Sequence, residues 1–223
     1  SDGVTTYSYD SLGRLVSANS NSGGQSLAMD YNALGLLVGM ADDGVWTRYL
    51  VDASGEPNPV ASYEADGDPI ASYQYALGLL GQTTGGTSSY FGFDLTGNLV
   101  NVFDGAGGEA SSYLLEPFGN RLFGSETIGS PFDFVGQSGI LSDTELNLSA
   151  MRARVYDADT GRFVSRDPVG YLGGINVYDY VGGAPTYLID PTGLWYISIG
   201  ISGGFGGGGG GAIQIGSNGI YFQ

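Results

Sequence analysis

The chain has 223 residues, enough to form one large domain or two small ones around a real hydrophobic core. Its formal charge is −16, from 23 acidic and 7 basic residues, so a nucleic-acid phosphate backbone would be repelled and no binding to DNA or RNA is expected. The sequence contains no Cys, His or Lys. This excludes a thiolate nucleophile, a Ser-His-Asp triad, a Schiff-base lysine and a zinc site built on Cys or His. Carboxylates, hydroxyls and arginines remain as candidates for chemistry.

Composition predicts an almost all-β protein. The 41 glycines and 16 tyrosines disfavour long helices and are typical of many short strands joined by tight turns. The chain opens at Ser1 and stops at Gln223 in an uncharged, hydrophobic stretch, so we expect a fragment of a longer protein, and no signal peptide is visible.

A short motif repeats through the first half of the chain. It consists of an aromatic or apolar residue, usually Asp or Asn, two variable residues and Gly, and we call it the kernel. Its seven copies are YDSLGRLV from Tyr9, YNALGLLV from Tyr31, VDASGEP from Val51, YALGLLG from Tyr75, FDLTGNLV from Phe93, FDGAGGE from Phe103 and LEPFGNRL from Leu115.

Each kernel predicts the tip of a β-hairpin. The Asp or Asn side chain can accept hydrogen bonds from the following backbone, and the Gly tolerates the positive φ that closes the turn. Kernel glycines at 13, 35, 55, 78, 97 and 119 recur about every twenty residues, which fits one hairpin per repeat stacked in a long sheet. A generic β-sandwich with Gly-rich turns is the alternative fold. A calcium site is not expected, because the acidic positions are too sparse for the twelve-residue loop.

The kernels resemble the YD repeats of the Rhs family, as in Tyr9-Asp10 followed by Gly13-Arg14-Leu15. The stretch from Arg152 to Leu194 resembles the Rhs repeat-associated core almost from end to end. The resemblance covers residues 1–194 and implies a hollow β-shell, built by stacked hairpins, with a small C-terminal core that plugs one end. The implied domains are a repeat array at 1–128, the core at 129–194 and the start of a variable effector at 195–223.

The resemblance also implies that the shell cuts its own chain after the motif Asp-Pro-x-Gly-Leu. In this sequence the cut would fall between Leu194 and Trp195 and would release the effector. Glu145 stands where the family usually has Gly, and Val155 stands where it usually has Tyr. We expect these two departures to change local packing more than the predicted cleavage chemistry.

Two Asp-Pro pairs carry the predicted chemistry. Without His, Cys or Lys, the plausible route is the aspartic one, in which Asp167 and Asp190 share a proton, one activates water and the other protonates the carbonyl oxygen. Arg154, which the resemblance places among the cleavage residues, could hold one Asp ionised or polarise the scissile carbonyl. Asp-Pro is also a common turn dipeptide, and Asp68-Pro69 occurs with no evident role, so two simple turns are the alternative.

Other matched positions are predicted to be structural. Arg152, Arg162 and Arg166 are expected to hold carboxylates or strand ends of the core, and most tyrosines to pack across strands. The remaining motif positions expected to support the core are Gly161, Arg162, Phe163, Pro168, Tyr178, Tyr180, Pro191 and Gly193.

The tail from Pro191 to Gln223 is uncharged. Ile197, Ile199 and Ile201 alternate with small or polar residues, as do Ile213 and Ile215, and this predicts two strands around the glycine run at 206–211. A membrane helix is not expected, because Gly is a poor helix former and the apolar run is short.

The resemblance implies a shell segment of an exported bacterial toxin, secreted or at the cell surface and used against other bacteria. No cofactor or metal is expected. The expected partners are the chain's own effector segment and, in the longer protein, a delivery component and an immunity protein. The alternatives are a non-catalytic adhesion or glycan-binding repeat protein, and a shell that encloses its cargo without cutting.

Overall fold

The structure is a computed structural model that describes residues 5–172, 174–198 and 214–216. These residues form three antiparallel β-sheets and three single-turn 3-10 helices. The all-β prediction is therefore confirmed. Within the described part of the chain, no helix is long and apolar enough to cross a membrane.

The strands follow in chain order. The first sheet contains β1 (Thr5–Tyr9), β2 (Leu15–Ser20), β3 (Ser26–Tyr31), β4 (Leu37–Asp42), β5 (Val45–Asp52), β6 (Asn58–Glu64), β7 (Pro69–Tyr75), β8 (Leu79–Thr84), β9 (Thr87–Phe93), β10 (Leu99–Phe103), β11 (Glu109–Leu115) and β12 (Arg121–Ser125). The second contains β13 (Leu141–Asp143), β14 (Leu148–Met151), β15 (Arg154–Asp157) and β16 (Arg162–Phe163), and the third β17 (Leu188–Ile189), β18 (Tyr196–Ser198) and β19 (Gln214–Gly216). The 3-10 helices are Gly136–Ser138, Gly170–Leu172 and Val181–Gly183.

All seven kernels lie at hairpin tips, as predicted. The Asp10 carboxylate accepts the backbone N–H groups of Leu12 and Arg14, both at 2.9 Å, and Asn32, Asp94 and Asp104 accept the corresponding amides of their own turns. Because consecutive strands are antiparallel neighbours, alternate turns share one edge of the sheet. Six kernels lie along this tip edge, and the Phe103 kernel lies on the opposite edge.

The prediction for the kernel that begins at Tyr75 was wrong in one detail. Its Gly78 does not have a positive φ. The glycine comes one residue earlier than in the other kernels, and the turn is closed by the Ala76 amide donating to the Gly78 carbonyl. Glycine is needed there for another reason. A Cβ on Gly78 would lie 2.9 Å from Cγ and 3.0 Å from the carbonyl oxygen of Gln137, which packs against this tip.

The long sheet is open and curls around the smaller second sheet. One face of the long sheet contributes buried Leu15, Leu27, Met29 and Leu79 to a core that also contains four side chains from beyond residue 130, namely Phe132, Leu141, Leu148 and Val155. Hydrogen bonds fasten the tip edge to the same unit, such as the one from the Gln137 amide to the Gly97 carbonyl at 2.9 Å. The repeat array therefore packs one face of its sheet against the unit that carries the predicted site.

A second core lies within that unit. Phe134, Tyr156, Phe163 and Tyr180 pack their rings at centroid distances of 4.4–6.0 Å, and Ile189 closes the cluster. The third sheet extends from Leu188 through β18 to β19, so it includes residues on both sides of the predicted boundary at 194/195. The predicted domain limits remain predictions.

Candidate functional site

The Asp190 to Trp195 segment is the turn of a hairpin. β17 precedes it and β18 follows it, with Ile189 opposite Ile197 in the antiparallel register. Asp190 is 4% exposed, and its Oδ1 accepts three hydrogen bonds from within the turn. The donors are the Thr192 hydroxyl at 3.0 Å, the Leu194 amide at 3.2 Å and the Trp195 amide at 3.3 Å. The carboxylate thus holds the amide nitrogen of the predicted scissile bond.

Arg154 joins the two predicted aspartates. It lies on β15 and is 5% exposed, and its Nη2 is 3.2 Å from Asp167 Oδ2 and 3.6 Å from Asp190 Oδ2. Its Nε donates to the Gly193 carbonyl, and its Cζ lies 3.6 Å from the centroid of the Phe163 ring. The structure therefore brings all three predicted residues together at one guanidinium group. The arginine contacts the carbonyl next to the scissile one, not the Leu194 carbonyl itself.

Asp167 reaches the site from a separate turn. Its Oδ1 accepts the Val169 amide at 2.8 Å, while its backbone amide donates to the Val177 carbonyl at 2.9 Å. Both Asp-Pro pairs are therefore turns in which the carboxylate caps a following amide. Each pair thus forms a turn, and the two turns bring their carboxylates to the same guanidinium group.

Burial and pairing set the charges of the site. Burial raises the pKa of Asp190 from 3.8 to about 6, and the Arg154 charge and the hydrogen bonds from Thr192, Leu194 and Trp195 oppose that shift only in part. Burial lowers the pKa of Arg154, which Asp167 and Asp190 counteract. Asp190 can consequently carry a proton closer to neutral pH than an ordinary aspartate.

Gly193 permits the close packing of the turn against β15. Its φ is +69°, and a Cβ there would collide with the carbonyl oxygen of Met151 and lie 3.0 Å from the backbone nitrogen of Arg154. A side chain would therefore both strain the backbone and push the turn away from the arginine.

Two residues, Arg152 and Thr192, make contacts around the site that the sequence did not predict. Arg152, expected to be structural, donates to the carbonyls of Pro191, Ser138 and Pro57, and so ties the turn to the tip edge. Thr192 was not singled out, since its one sequence signal is a hydroxyl two residues after an Asp. Its hydroxyl bridges Asp190 Oδ1 and the Leu194 amide, which lies 3.2 Å away.

The other motif positions have different environments. Phe163, Tyr180 and Pro191 are buried, whereas Pro168 and Arg162 are exposed. Tyr178 is 39% exposed, and a Cβ on Gly161, whose φ is +65°, would lie 3.1 Å from the Phe118 ring. In the described parts of the chain, Arg162 and Arg166 form no ion pair, so of their two expected roles, holding carboxylates or strand ends, the first is not seen there. Arg162 instead bridges to the backbone of Asp179.

A small cavity adjoins the site. Its volume of about 30 Å³ is enough for one or two water molecules, and it is lined by Arg154, Asp167, Asp190, Leu194 and Trp195 together with neighbouring side chains. One possible metal group was found among the described residues, formed by exposed Asp42, Asp43 and Glu145. It is separate from this site, and exposed acidic groups of this kind are common without an ion.

Comparisons with known proteins agree with the fold. Residues 1–176 match the family model described as Teneurin YD-shell. The tRNA3(Ser)-specific nuclease WapA of Bacillus spizizenii is 26% identical over 204 residues, which are 87% of this chain and 9% of that protein. The toxin protein Tse5 of Pseudomonas aeruginosa is 45% identical over 64 residues, which are 29% of this chain and 5% of that protein.

A solved structure has the same architecture. The crystal structure of TcdB2-TccC3-Cdc42 matches with a TM-score of 0.64 at 16% identity, covering 85% of this chain and 10% of that one, and this likeness concerns the fold alone. The chain spans 9% or less of the two relatives named above. The match over residues 1–176 shows that the chain belongs to the teneurin YD-shell family, and its toxin relatives place it in the Rhs/YD-repeat toxin group that its motifs resemble.

Proposed function

We propose that this chain is the shell segment of an Rhs-type toxin that encloses a C-terminal effector and frees it by cutting its own backbone between Leu194 and Trp195. One observation carries the proposal. The buried Asp190 carboxylate lies 3.3 Å from the nitrogen of that bond, and Arg154 links it to a second carboxylate, Asp167.

Asp190 is the acid in this mechanism. Its pKa of about 6 keeps roughly a tenth of the molecules protonated at pH 7, and a single cut per chain needs no fast turnover. In the structure Asp190 Oδ1 accepts the Trp195 N–H at 3.3 Å. Once addition to the Leu194 carbonyl carbon has made that nitrogen pyramidal, with a free lone pair, the carboxyl proton is delivered to it as the carbon–nitrogen bond breaks.

Asp167 is the base. Paired with Arg154, it takes a proton from a water molecule whose hydroxide adds to the Leu194 carbonyl carbon. The bond to Trp195 then breaks, leaving a carboxyl group on Leu194 and an amine on Trp195. Asp167 has then gained a proton and Asp190 has lost one, so transfer of that proton from Asp167 to Asp190 through solvent restores the pair.

Arg154 holds the two carboxylates at one guanidinium group. Two aspartates close to one another cannot both ionise easily without a cation, and the guanidinium contacts both. Its contact to the Gly193 carbonyl supports a positioning role over direct polarisation of the Leu194 carbonyl.

The toxin context is drawn from the relatives. One is described as a tRNA nuclease and another as a toxin protein, and each is far longer than this chain. We therefore assign the residues from Trp195 onward to an effector. The protein that carries this effector is exported to the cell surface or secreted, and an immunity protein protects the producing cell from it.

The test is mass spectrometry of the purified chain under denaturing conditions. The unmodified chain should yield a fragment that begins at Trp195, whereas Asp190→Asn and Asp167→Asn should stay whole. Asp68→Asn is the matched control, because Asp68 also precedes a proline but is exposed in the β6–β7 turn, and it should be cut normally.

An unmodified chain that stays whole, with circular dichroism matching a folded β protein, would remove the cleavage proposal and leave a shell that does not cut. Cutting at Leu194 in the Asp190→Asn chain would remove the assigned acid.

A further inference from the structure

We infer that Thr192 is a positioning residue for the proposed cut, whose hydroxyl holds the Asp190 carboxyl and the backbone on both sides of the predicted scissile bond in one arrangement. The inference rests on the proposed cleavage at Leu194. It adds to that proposal a residue that acts through Asp190 and not on the bond itself.

The Thr192 hydroxyl lies between three polar groups. Its Oγ1 donates to Asp190 Oδ1 at 3.0 Å and accepts the Leu194 amide at 3.2 Å. The Trp195 carbonyl oxygen is 3.5 Å away, at the limit of a hydrogen bond, so the single hydroxyl proton points to Asp190. The Leu194 amide and the Trp195 carbonyl belong to the peptide groups before and after the predicted scissile one. Within the described part of the chain, the hydroxyl hydrogen-bonds to neither the Leu194 carbonyl nor the Trp195 nitrogen.

The turn 190–193 repeats the chemistry of a kernel turn. It shares the pattern Asp-x-Thr-Gly with the kernel turn 94–97, and the Thr hydroxyl donates to its own Asp at 3.0 Å in the first and 2.9 Å in the second. The amides that the two carboxylates accept differ. Asp94 Oδ1 accepts those two and four residues further on, whereas Asp190 Oδ1 accepts those four and five residues further on. The Asp-Thr pair that caps a kernel turn therefore holds, in the turn 190–193, a carboxylate at the predicted scissile nitrogen.

The two oxygens of the Asp190 carboxyl face different partners. Oδ1 accepts the donors of the turn, and Oδ2 lies 3.6 Å from Arg154 Nη2. A guanidinium can bind both oxygens of one carboxylate, and the terminal torsion of an Asp side chain is broad, so Arg154 can draw Oδ1 away from the turn. The Thr192 hydroxyl opposes this rotation, because it donates to Oδ1 from a β-branched side chain whose χ1 is restricted. Without that hydroxyl, we expect Oδ1 to move away from the Trp195 nitrogen.

Thr192 also affects the charge of Asp190. Burial raises the pKa of Asp190 to about 6, and the hydrogen bond from Thr192 is one of the interactions that lower it. Loss of this bond should raise the pKa further, so that the protonated acid persists to higher pH. The other charged or titratable groups that face Asp190, or the cavity beside it, are Arg152, Arg154, Asp167, Asp179, Tyr180 and Tyr196. A substitution of Thr192 leaves all of them present, so a changed pH dependence reports the lost hydroxyl.

Position and charge predict opposite effects of losing the hydroxyl. At a pH below the Asp190 pKa the acid is protonated with or without Thr192, so the rate of cutting there reports the position of the carboxyl alone. This rate should fall, while the pH above which cutting declines should rise. A change that only loosened the fold would lower the rate without raising that pH.

The experiment measures the rate of cutting of the full 223-residue chain as a function of pH. The chain is made by cell-free translation and diluted into buffers from about pH 5 to about pH 9, and the whole and cut forms are followed by mass spectrometry. Thr192→Val removes the hydroxyl at nearly constant volume and should lower the rate at low pH roughly 10- to 100-fold. The pH at which the rate is halved should rise by roughly 0.5–1 unit, the equivalent of one hydrogen bond.

Two further variants separate the hydroxyl from other effects. Thr192→Ser keeps the hydroxyl and should restore both the rate and the pH dependence. Thr96→Val is the matched control, because it removes the corresponding hydroxyl from the kernel turn 94–97, and it should cut like the unmodified chain. Equal rates and pH dependence in the unmodified and Thr192→Val chains would overturn the inference, as would a Thr192→Ser chain as slow as Thr192→Val.

A second readout does not depend on cutting. In chains kept whole by Asp167→Asn, NMR of the Asp190 carboxyl carbon measures its titration, and Thr192→Val should raise the midpoint by the same roughly 0.5–1 unit. An unchanged midpoint would overturn the hold of Thr192 on Asp190 even if the chain cuts. An unmodified chain that stays whole at every pH would instead remove the cleavage proposal, and the titration would still decide whether Thr192 holds the carboxyl.

Discussion

At the residue scale, Asp190 is the residue on which the site depends. Its carboxylate lies inside the protein, where ionisation is unfavourable, yet three donors of one turn and a guanidinium are arranged around it. Burial is the larger effect, so the pKa rises to about 6. A buried carboxyl that retains its proton longer than usual is the acid that peptide hydrolysis requires.

This pKa predicts how stability changes with pH. The unfolded chain loses the Asp190 proton near pH 3.8 and the folded chain near pH 6, so the stability due to protonated Asp190 is complete below 3.8 and is lost as the pH rises through 6. The free energy of unfolding, relative to that of Asp190→Asn, should fall by roughly 3 kcal/mol from about pH 3.5 to about pH 7. Urea unfolding of both chains, each kept whole by Asp167→Asn, measures this, and a constant difference would contradict it.

Gly193 allows a second test at the same scale. Gly193→Ala should lower the free energy of unfolding by about 1–2 kcal/mol from its positive φ and by at least about 1 kcal/mol more from the collision with Met151. Gly107→Ala is the control, because its φ is +86° and no atom lies within 4 Å of the added Cβ. Equal losses in urea denaturation would show that the turn can move away from β15.

At the element scale, the hairpin tips combine local and long-range roles. The tip at Asp104 is stabilised by its own amides, at the edge opposite the second sheet. The tip at Asp94 carries in addition Asn98, whose side chain donates to Asp94 and accepts the Val135 amide at 2.9 Å. The same turn chemistry thus only closes the hairpin at Asp104, whereas at Asp94 it also binds the sheet to the segment that contains Val135.

These two tips should respond differently to the same substitution. Asp104→Ala should lower the free energy of unfolding by about 1 kcal/mol, the usual effect of losing a cap. Asp94→Ala should lower it by about 2–3 kcal/mol, because the bond that orients Asn98 toward Val135 is lost as well. Urea unfolding of the two variants makes the comparison, and equal losses would mean that the contact to Val135 survives without Asp94.

At the scale of the whole molecule, sheet and core unit share one interior. Phe132 is fully buried and its ring meets that of Tyr73, on β7, edge-on at a centroid distance of 4.8 Å. Leu141 and Val155 complete the contact with the long sheet. The long sheet and the site should therefore unfold together.

Phe132→Ala should lower the free energy of unfolding by about 3–5 kcal/mol for both parts at once. The fluorescence of the two tryptophans reports on the two parts separately, since Trp46 lies on β5 of the long sheet and Trp195 lies at the end of the site turn. Trp195→Phe and Trp46→Phe chains should show the same midpoint by fluorescence, and Phe132→Ala should shift both equally. Phe123→Ala, at a side chain that is 63% exposed, is the control, and separate midpoints would contradict a shared core.

Much of the fold could be predicted because its signals are local. Most kernels contain the acceptor and the glycine that their own turn needs, so seven tips were predicted correctly. One detail, the φ of Gly78, was wrong where the glycine comes one residue earlier than in the other kernels. The strands around Ile197 and Ile215 were also predicted from alternation alone. The Gly206 to Gly211 run between them lies outside the described residues.

The site was predictable in part. Asp167, Asp190 and Arg154 were named from the residue inventory and the core motif, and they lie together in the structure. Thr192 was missed, because a hydroxyl in a turn has many possible partners. Arg162 and Arg166, expected to hold carboxylates or strand ends, form no ion pair within the described residues, and a charge pattern does not show which side chains point to solvent.

By itself, the sequence determined an all-β chain of stacked hairpins, with carboxylates and arginine as its available chemistry. These properties depend on backbone preferences and composition, which act within a few residues. Tertiary structure alone decided that the curled sheet surrounds the core unit, that Arg154 contacts two aspartates from separate turns, and that Asp190 is buried against the Trp195 amide. Contacts between distant residues depend on how the elements pack, and the pKa of a carboxyl depends on the burial that packing creates.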